Sequence, residues 1–98
     1  MKYRKKPIVV EAFKYDCYSK FSNGEKQFPE WAQKAFRSGT LYYVCYEFCE
    51  EPELFLMTLE GTHRIRNGDY IIKGAHGELY NCREDIFEST YEEVLVQN

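Results

Sequence analysis

Between Leu41 and Arg83 the chain alternates short apolar runs with tight turn signals, and this punctuation constrains its fold more than any other feature. Leu41 to Phe48 (LYYVCYEF) is β-branched and aromatic, Glu50, Glu51, Pro52 and Glu53 form an acidic turn, and Leu54 to Leu59 is a second apolar run. Glu60-Gly61 reads as a two-residue connection, Asn67-Gly68 as a hairpin turn leading into Asp69 to Lys73, and Gly74-Ala75-His76-Gly77 as the closure of a third hairpin. Loops this short reach only an antiparallel neighbour, so an antiparallel meander is expected from residue 41 onward. The expected pairings are Leu56 with Ile65, Met57 with Arg64 and Thr58 with His63, then Lys73 with Glu78, Ile71 with Tyr80 and Asp69 with Cys82.

The first part of the chain has a different texture. Residues 7 to 15, PIVVEAFKY, alternate as a strand: Ile8, Val10 and Ala12 point one way, Val9, Glu11, Phe13 and Tyr15 the other. Residues 16 to 27 carry turn chemistry in Ser22-Asn23-Gly24 and read as the longest loop. Residues 29 to 38, PEWAQKAFRS, read as an amphipathic helix, with Pro29 at its start, Arg37 in its last turn and Gly39 as its left-handed stop. Trp31, Ala32, Ala35 and Phe36 form one apolar stripe, which docks the helix on the sheet. Near the C-terminus Asp85 suits the N-cap of a single turn, Ile86 to Ser89, and Tyr91, Val94 and Val96 suit a last short strand.

With 98 residues and 44% apolar content there is room for one core, so residues 1–98 are expected to form a single domain. The expected fold class is α+β: a mostly antiparallel, bent sheet or half-open small barrel of five to six strands, one helix at about 29–38 and a short C-terminal helical turn. No run approaches the ~18 apolar residues of a bilayer span, and the basic residues of Met1 to Lys6 have no apolar segment behind them, so a soluble chain without a membrane partner is expected. Cys17, Cys45, Cys49 and Cys82 are then expected as reduced thiols acting as small hydrophobes. Cys45 and Cys49, with His63, His76 and Cys82, lack the paired short spacings of a structural zinc site, so neither a metal nor another cofactor is expected.

The net charge of −3 conceals a division. Residues 1–40 carry nine Lys/Arg against four Asp/Glu, and residues 41–98 carry four against twelve. Internal complementarity between the basic first strand and acidic C-terminal segments explains this, as does a partner surface. Lys2, Arg4, Lys5 and Lys6 are the candidate phosphate contacts, although the net negative charge makes the chain a poor match to nucleic acid.

The usual phosphate-binding and hydrolase spacings are absent from the sequence. His63, set mid-strand, reads as a hydrogen-bonded structural residue in preference to a general base. His76 reads as an exposed loop residue, and Asp69 and Glu78 as too far apart to share a proton. Cys82 beside Asp69 is a poor nucleophile, since a neighbouring carboxylate raises a thiol's pKa. Nine tyrosines and seven phenylalanines against two methionines are the unusual feature, because so small a domain cannot bury all of them. Tyr42, Tyr43, Tyr46 and Phe48 are the candidate recognition residues, and packing against Trp31 and Phe36 is the competing role.

The segments Tyr3 to Phe13 (YRKKPIVVEAF), Thr58 to Gly61 (TLEG), Gly68 to Gly74 (GDYIIKG), Gly77 to Cys82 (GELYNC) and Asp85 to Val94 (DIFESTYEEV) resemble those of short proteins encoded in phages and prophages of Gram-positive bacteria. The resemblance covers about half of the chain, both ends included, and fades across residues 16–57. It implies cytoplasmic expression in a bacterial host and a small accessory role, and it transfers no catalytic residue. The combined expectation is a non-enzymatic module that binds a host or phage protein, or a second copy of itself, through a strand edge and the Tyr-rich face. The alternatives are nucleic-acid binding by the basic N-terminal strand and a small-ligand or metal-dependent enzyme using His63 and the cysteines.

Overall fold

A computed structural model describes residues 1–4, 6–17, 28–47 and 51–94. Their order is β1 (Glu11–Lys14), α1 (Glu30–Ser38), β2 (Leu41–Val44), β3 (Glu53–Thr58), β4 (Gly61–Ile65), β5 (Tyr70–Lys73), β6 (Leu79–Cys82) and α2 (Glu84–Thr90). The α+β class and the antiparallel pairing are as expected, but the strands form two three-stranded sheets in place of one bent sheet or half-open barrel. The first sheet has the order β1-β5-β6 and the second β2-β3-β4.

The chain changes sheets at Arg66–Asp69, where the Asn67-Gly68 signal promises a hairpin. The buried Asp69 carboxylate accepts from the Arg66 backbone N–H at 2.9 Å, and the Asp69 N–H donates to the Arg66 carbonyl at 3.0 Å. Gly68, at φ 92°, takes the left-handed position of the turn and donates to the Tyr15 carbonyl at 2.8 Å. Tyr15 donates to the Asp69 carbonyl at 2.8 Å, and the Cys17 N–H donates to Asn67 Oδ1 at 2.9 Å. The turn is thus bonded to the end of β1, and β5 leaves it paired with β1 and not with β4.

Two registers also differ from expectation. In the β3–β4 hairpin Leu54 faces Ile65, Leu56 faces His63 and Thr58 faces Gly61, a shift of two that keeps every side chain on its expected face. Thr58 fixes the two-residue turn at Leu59-Glu60, one residue earlier than expected: its Oγ1 accepts from the Glu60 N–H at 3.1 Å and donates to the Gly61 carbonyl at 2.7 Å. In the β5–β6 hairpin Lys73 faces Leu79, Ile72 faces Tyr80 and Ile71 faces Asn81, a slip of one that exchanges the faces of β6. The cause is an extra residue in the loop, where Gly77 lies at φ 84° and the Gly74 N–H reaches the Glu78 carbonyl at 2.8 Å. Lys73 accordingly approaches Glu11 across the β1–β5 pair, at 3.8 Å, and not Glu78.

The two sheets enclose the core. Phe13, Tyr15, Ile71 and Leu79 of the first meet Leu41, Leu54, Leu56 and Ile65 of the second. Leu41, Leu54, Leu56 and Ile71 are fully buried, each contributing roughly 1.5–3 kcal/mol by leaving water. Helix α1 closes this core through Ala32 and Ala35, with Trp31 against Phe13 (5.5 Å between ring centroids) and Phe36 against Phe28 (5.0 Å). The apolar stripe therefore docks the helix as expected. Gly39, at φ 85°, ends it by donating to the Phe36 carbonyl.

The opposite face of the first sheet carries Ala12, Tyr70, Ile72 and Tyr80, and α2 covers it. Phe87 stacks between Tyr70 (3.9 Å) and Tyr91 (4.7 Å), and the Tyr91 hydroxyl lies 3.4 Å from that of Tyr80. The helix starts after Arg83, so Asp85 is inside it and not its cap; Asp85 instead pairs with Arg83 at 2.8 Å. The expected strand over residues 7–15 is paired only at Glu11–Lys14, and the expected last strand is unpaired over residues 91–94, with residue 96 outside the described residues. The expected loop at 16–27 falls outside them from residue 18 onward.

Candidate interaction surface

Strand alternation divides the second sheet into two unlike faces. Leu41, Tyr43, Leu54, Leu56, His63 and Ile65 look into the core, whereas Tyr42, Val44, Glu53, Phe55, Met57, Thr62 and Arg64 look outward. On the outer face Tyr42 stacks on Phe55 across the β2–β3 pair, with ring centroids 5.7 Å apart and planes 16° apart. Met57 continues the row at 53% exposure, and the Arg64 guanidinium lies 3.2 Å from the Glu53 carboxylate at its side. Apolar and aromatic groups run along the middle of this face, and a mutually paired cation and anion flank them. Among the described residues no helix lies over it in the way that α2 lies over the first sheet.

The described candidate aromatics do not share one face. Tyr42 belongs to the outer face, and Tyr46, just past β2, is 61% exposed. Tyr43 belongs to the core side: it stacks on Phe36 at 5.5 Å and shares a hydroxyl hydrogen bond with Tyr15. Burial raises the pKa of both phenols. Tyr43 thus packs one ring face against α1 while remaining 36% exposed, Tyr42 is half-buried on the outer face, and Phe48 lies outside the described residues. Phe55, Met57, Arg64 and Glu53 are the residues that sequence reasoning missed. The signal was present, since Phe55 and Met57 alternate with the core residues Leu54 and Leu56.

Lys2, Arg4 and Lys6 are exposed on the unpaired segment that precedes β1, and Lys5 lies outside the described residues. Internal charge complementarity is realised at Lys14, whose ammonium lies 2.6 Å from the Glu84 carboxylate. That hydrogen bond raises the Lys14 pKa against a smaller opposing effect of desolvation. Beside it, Asp69, Glu84, Asp85 and Glu88, with Arg66 and Arg83, line an open groove of about 510 Å³.

The residues considered for chemistry are dispersed. His63 projects from the second sheet to the first, its Nδ1 2.8 Å from Asn81 Oδ1, so it is hydrogen-bonded as expected but to Asn81 and not beside Thr58. His76 is exposed in the β5–β6 loop, where its N–H donates to the Glu78 carboxylate at 3.0 Å. The Cys82 thiol has its pKa raised, first by burial and then by Asp69 and Asp85. Cys17 and Cys82 are thiols, but Cys45 is disulfide-bonded, which corrects the expectation of reduced thiols throughout. Cys45 follows the end of β2 and is exposed, so its sulfur is not packed as a small hydrophobe; Cys49 lies outside the described residues. Among the described residues no three His, Cys, Asp or Glu side chains converge as a metal-ligand set, and no helix is long and apolar enough to cross a membrane. The chain matches no known family model, no curated protein and no solved structure.

Proposed function

We propose that the protein is a non-enzymatic binding module that recognises another protein through the outer face of its second sheet. The observation that carries this reading is the Tyr42–Phe55 stack, continued by Met57, on a face that α2 and α1 leave open. Its anatomy is that of a protein interface: aromatic and thioether groups at the centre, charged groups at the side. The Arg64–Glu53 pairing neutralises the charge on this face, which favours a partner presenting an apolar patch over a polyanion. The exposed Tyr46 at the end of β2 extends the surface with a rigid amphipathic ring. The motif resemblance to phage and prophage proteins suggests a partner of host or phage origin in a Gram-positive host.

Retention from host lysate on immobilised protein, followed by binding with the purified candidate, tests the proposal. Phe55→Lys and Tyr42→Lys put charge into the centre of the face and are expected to weaken binding of the purified partner by at least about tenfold. Equal affinity of the wild type and both variants would overturn the assignment of the face. No partner retained by the wild type would overturn the binding function.

A further inference from the structure

The first sheet ends in an edge that the described residues leave unpaired. Strand β1 pairs with β5 on one side, and among the described residues no strand lies on the other. Tyr15 bonds Asp69 on the β5 side, so by strand alternation the N–H and C=O groups of Ala12 and Lys14 are aimed at the open side. The chain before β1 continues this edge with Ile8, Val9 and Val10, of which Ile8 is 55% and Val9 75% exposed. Exposed β-branched residues leading into an open strand edge are what soluble domains normally avoid. Pro7 stands before the three of them, and Glu11 and Lys14 are the charged residues on the strand that follows, so the stretch Ile8 to Val10 carries no charge of its own.

The charges at the two ends of this edge are opposite. Lys2, Arg4 and Lys6 precede it, whereas its Lys14 end lies against Glu84 and the groove in which four carboxylates face two guanidinium groups. An antiparallel copy of the same edge brings the basic segment of one chain to the acidic end of the other, twice over. Parallel pairing would set like charges together.

We infer that a second copy of this chain pairs antiparallel with β1 along its open edge, about a two-fold axis, and that Lys2, Arg4 and Lys6 of each copy meet the Asp85 and Glu88 region of the other. The contact is isologous and closes on itself, giving a dimer with one six-stranded sheet and no filament. It accounts for the division of charge between the two ends of the chain, for which Lys14–Glu84 is only a partial internal answer. It uses a surface distinct from the outer face of the second sheet and stands or falls separately from the function proposed above.

Sedimentation equilibrium of the full chain at low salt tests the inference, and a dimer is expected. Lys2, Arg4 and Lys6 changed together to Glu leave the fold intact, since all three are exposed, and raise the dimer dissociation constant at least about tenfold. Adding Asp85→Lys and Glu88→Lys to that variant restores association. Val10→Pro removes a donor on the open side without touching the β1–β5 ladder and also dissociates the dimer. Salt at about 0.5 M weakens the wild-type dimer. A monomer at all concentrations, a dimer lost in Phe55→Lys but kept in the arm variants, or a monomer that shifts nucleic acid at low salt would each overturn it.

Discussion

Phe87→Ala should release α2 while leaving the two-sheet core folded. Phe87 lies between Tyr70 and Tyr91, with ring centroids at 3.9 and 4.7 Å, and is half-buried. Two ring contacts are worth about 0.5–1.5 kcal/mol each beyond area, and burying half of a phenylalanine adds about 1 kcal/mol. The truncation therefore removes about 2–4 kcal/mol from the docking of a helix of seven residues. Such a helix has little stability alone, since isolated helices under roughly 12 residues are marginal in water, and it has no side-chain cap. The loss should appear as local opening. Hydrogen exchange followed by mass spectrometry should show protection falling across 84–91, while β3, which carries the fully buried Leu54 and Leu56, keeps its protection. An equal fall in β3 would show that α2 and the sheets form one cooperative unit and refute the reasoning. Unchanged protection across 84–91 would show that the ring stack does not hold the helix.

Leu56→Ala, at a position with no exposure in the central strand of the second sheet, should cost about 2–5 kcal/mol and unfold both sheets together, read by denaturant titration. Asn81→Ala and His63→Ala, singly and combined, should give a coupling of about 1 kcal/mol in a double-mutant cycle, because their hydrogen bond joins the two sheets; a coupling of zero would remove that role. Burial first, and the Tyr91 hydroxyl second, push the Tyr80 phenol up to about 12. A raised pKa means stability present in full below the unfolded value near 10 and lost as pH rises from there toward 12, so absorbance titration should show Tyr80 ionising late along with Tyr15 and Tyr43, and Tyr91→Phe should lower the Tyr80 transition only in part, because burial remains.

The elements that sequence reasoning located well are those specified by neighbours in the chain. Helix α1 is defined by Pro29, an apolar stripe and Gly39, all within a few residues, and it appears at Glu30–Ser38. The hairpins are local in the same way, and their small errors of register trace to single side chains or residues: Thr58 moves one turn back by a residue, and an extra loop residue at Gly77 offsets the other. The division into two sheets was not legible, because Asn67-Gly68 has the composition of a hairpin turn while its outcome depends on Tyr15 and Cys17, some fifty residues earlier. The extent of α2 was missed for a related reason. Its stability comes from Tyr70, on another strand, and not from a capping residue of its own. Among the candidate binding residues, strand alternation separates Tyr42 from Tyr43, but which of the two faces the core depends on Phe36 and Tyr15.

The two sheets treat their outer faces differently, and the side chains account for it. The outer row of the first sheet includes Ile72, which has no exposure, with Tyr70 and Tyr80 around it, and only Lys14 among its described members carries a charge. Left bare, this face would put a wholly apolar centre into water, and α2 removes it. The outer row of the second sheet mixes Tyr42, Phe55 and Met57 with Glu53, Thr62 and Arg64, a composition that an antiparallel sheet can show to water without a cover. The same mixture gives a partner apolar area to bury and a charge pair at the margin to set orientation. Among the described residues the aromatic row of the second sheet needs no such cover, so under the proposed function the binding face would persist through changes at β1 that alter only association.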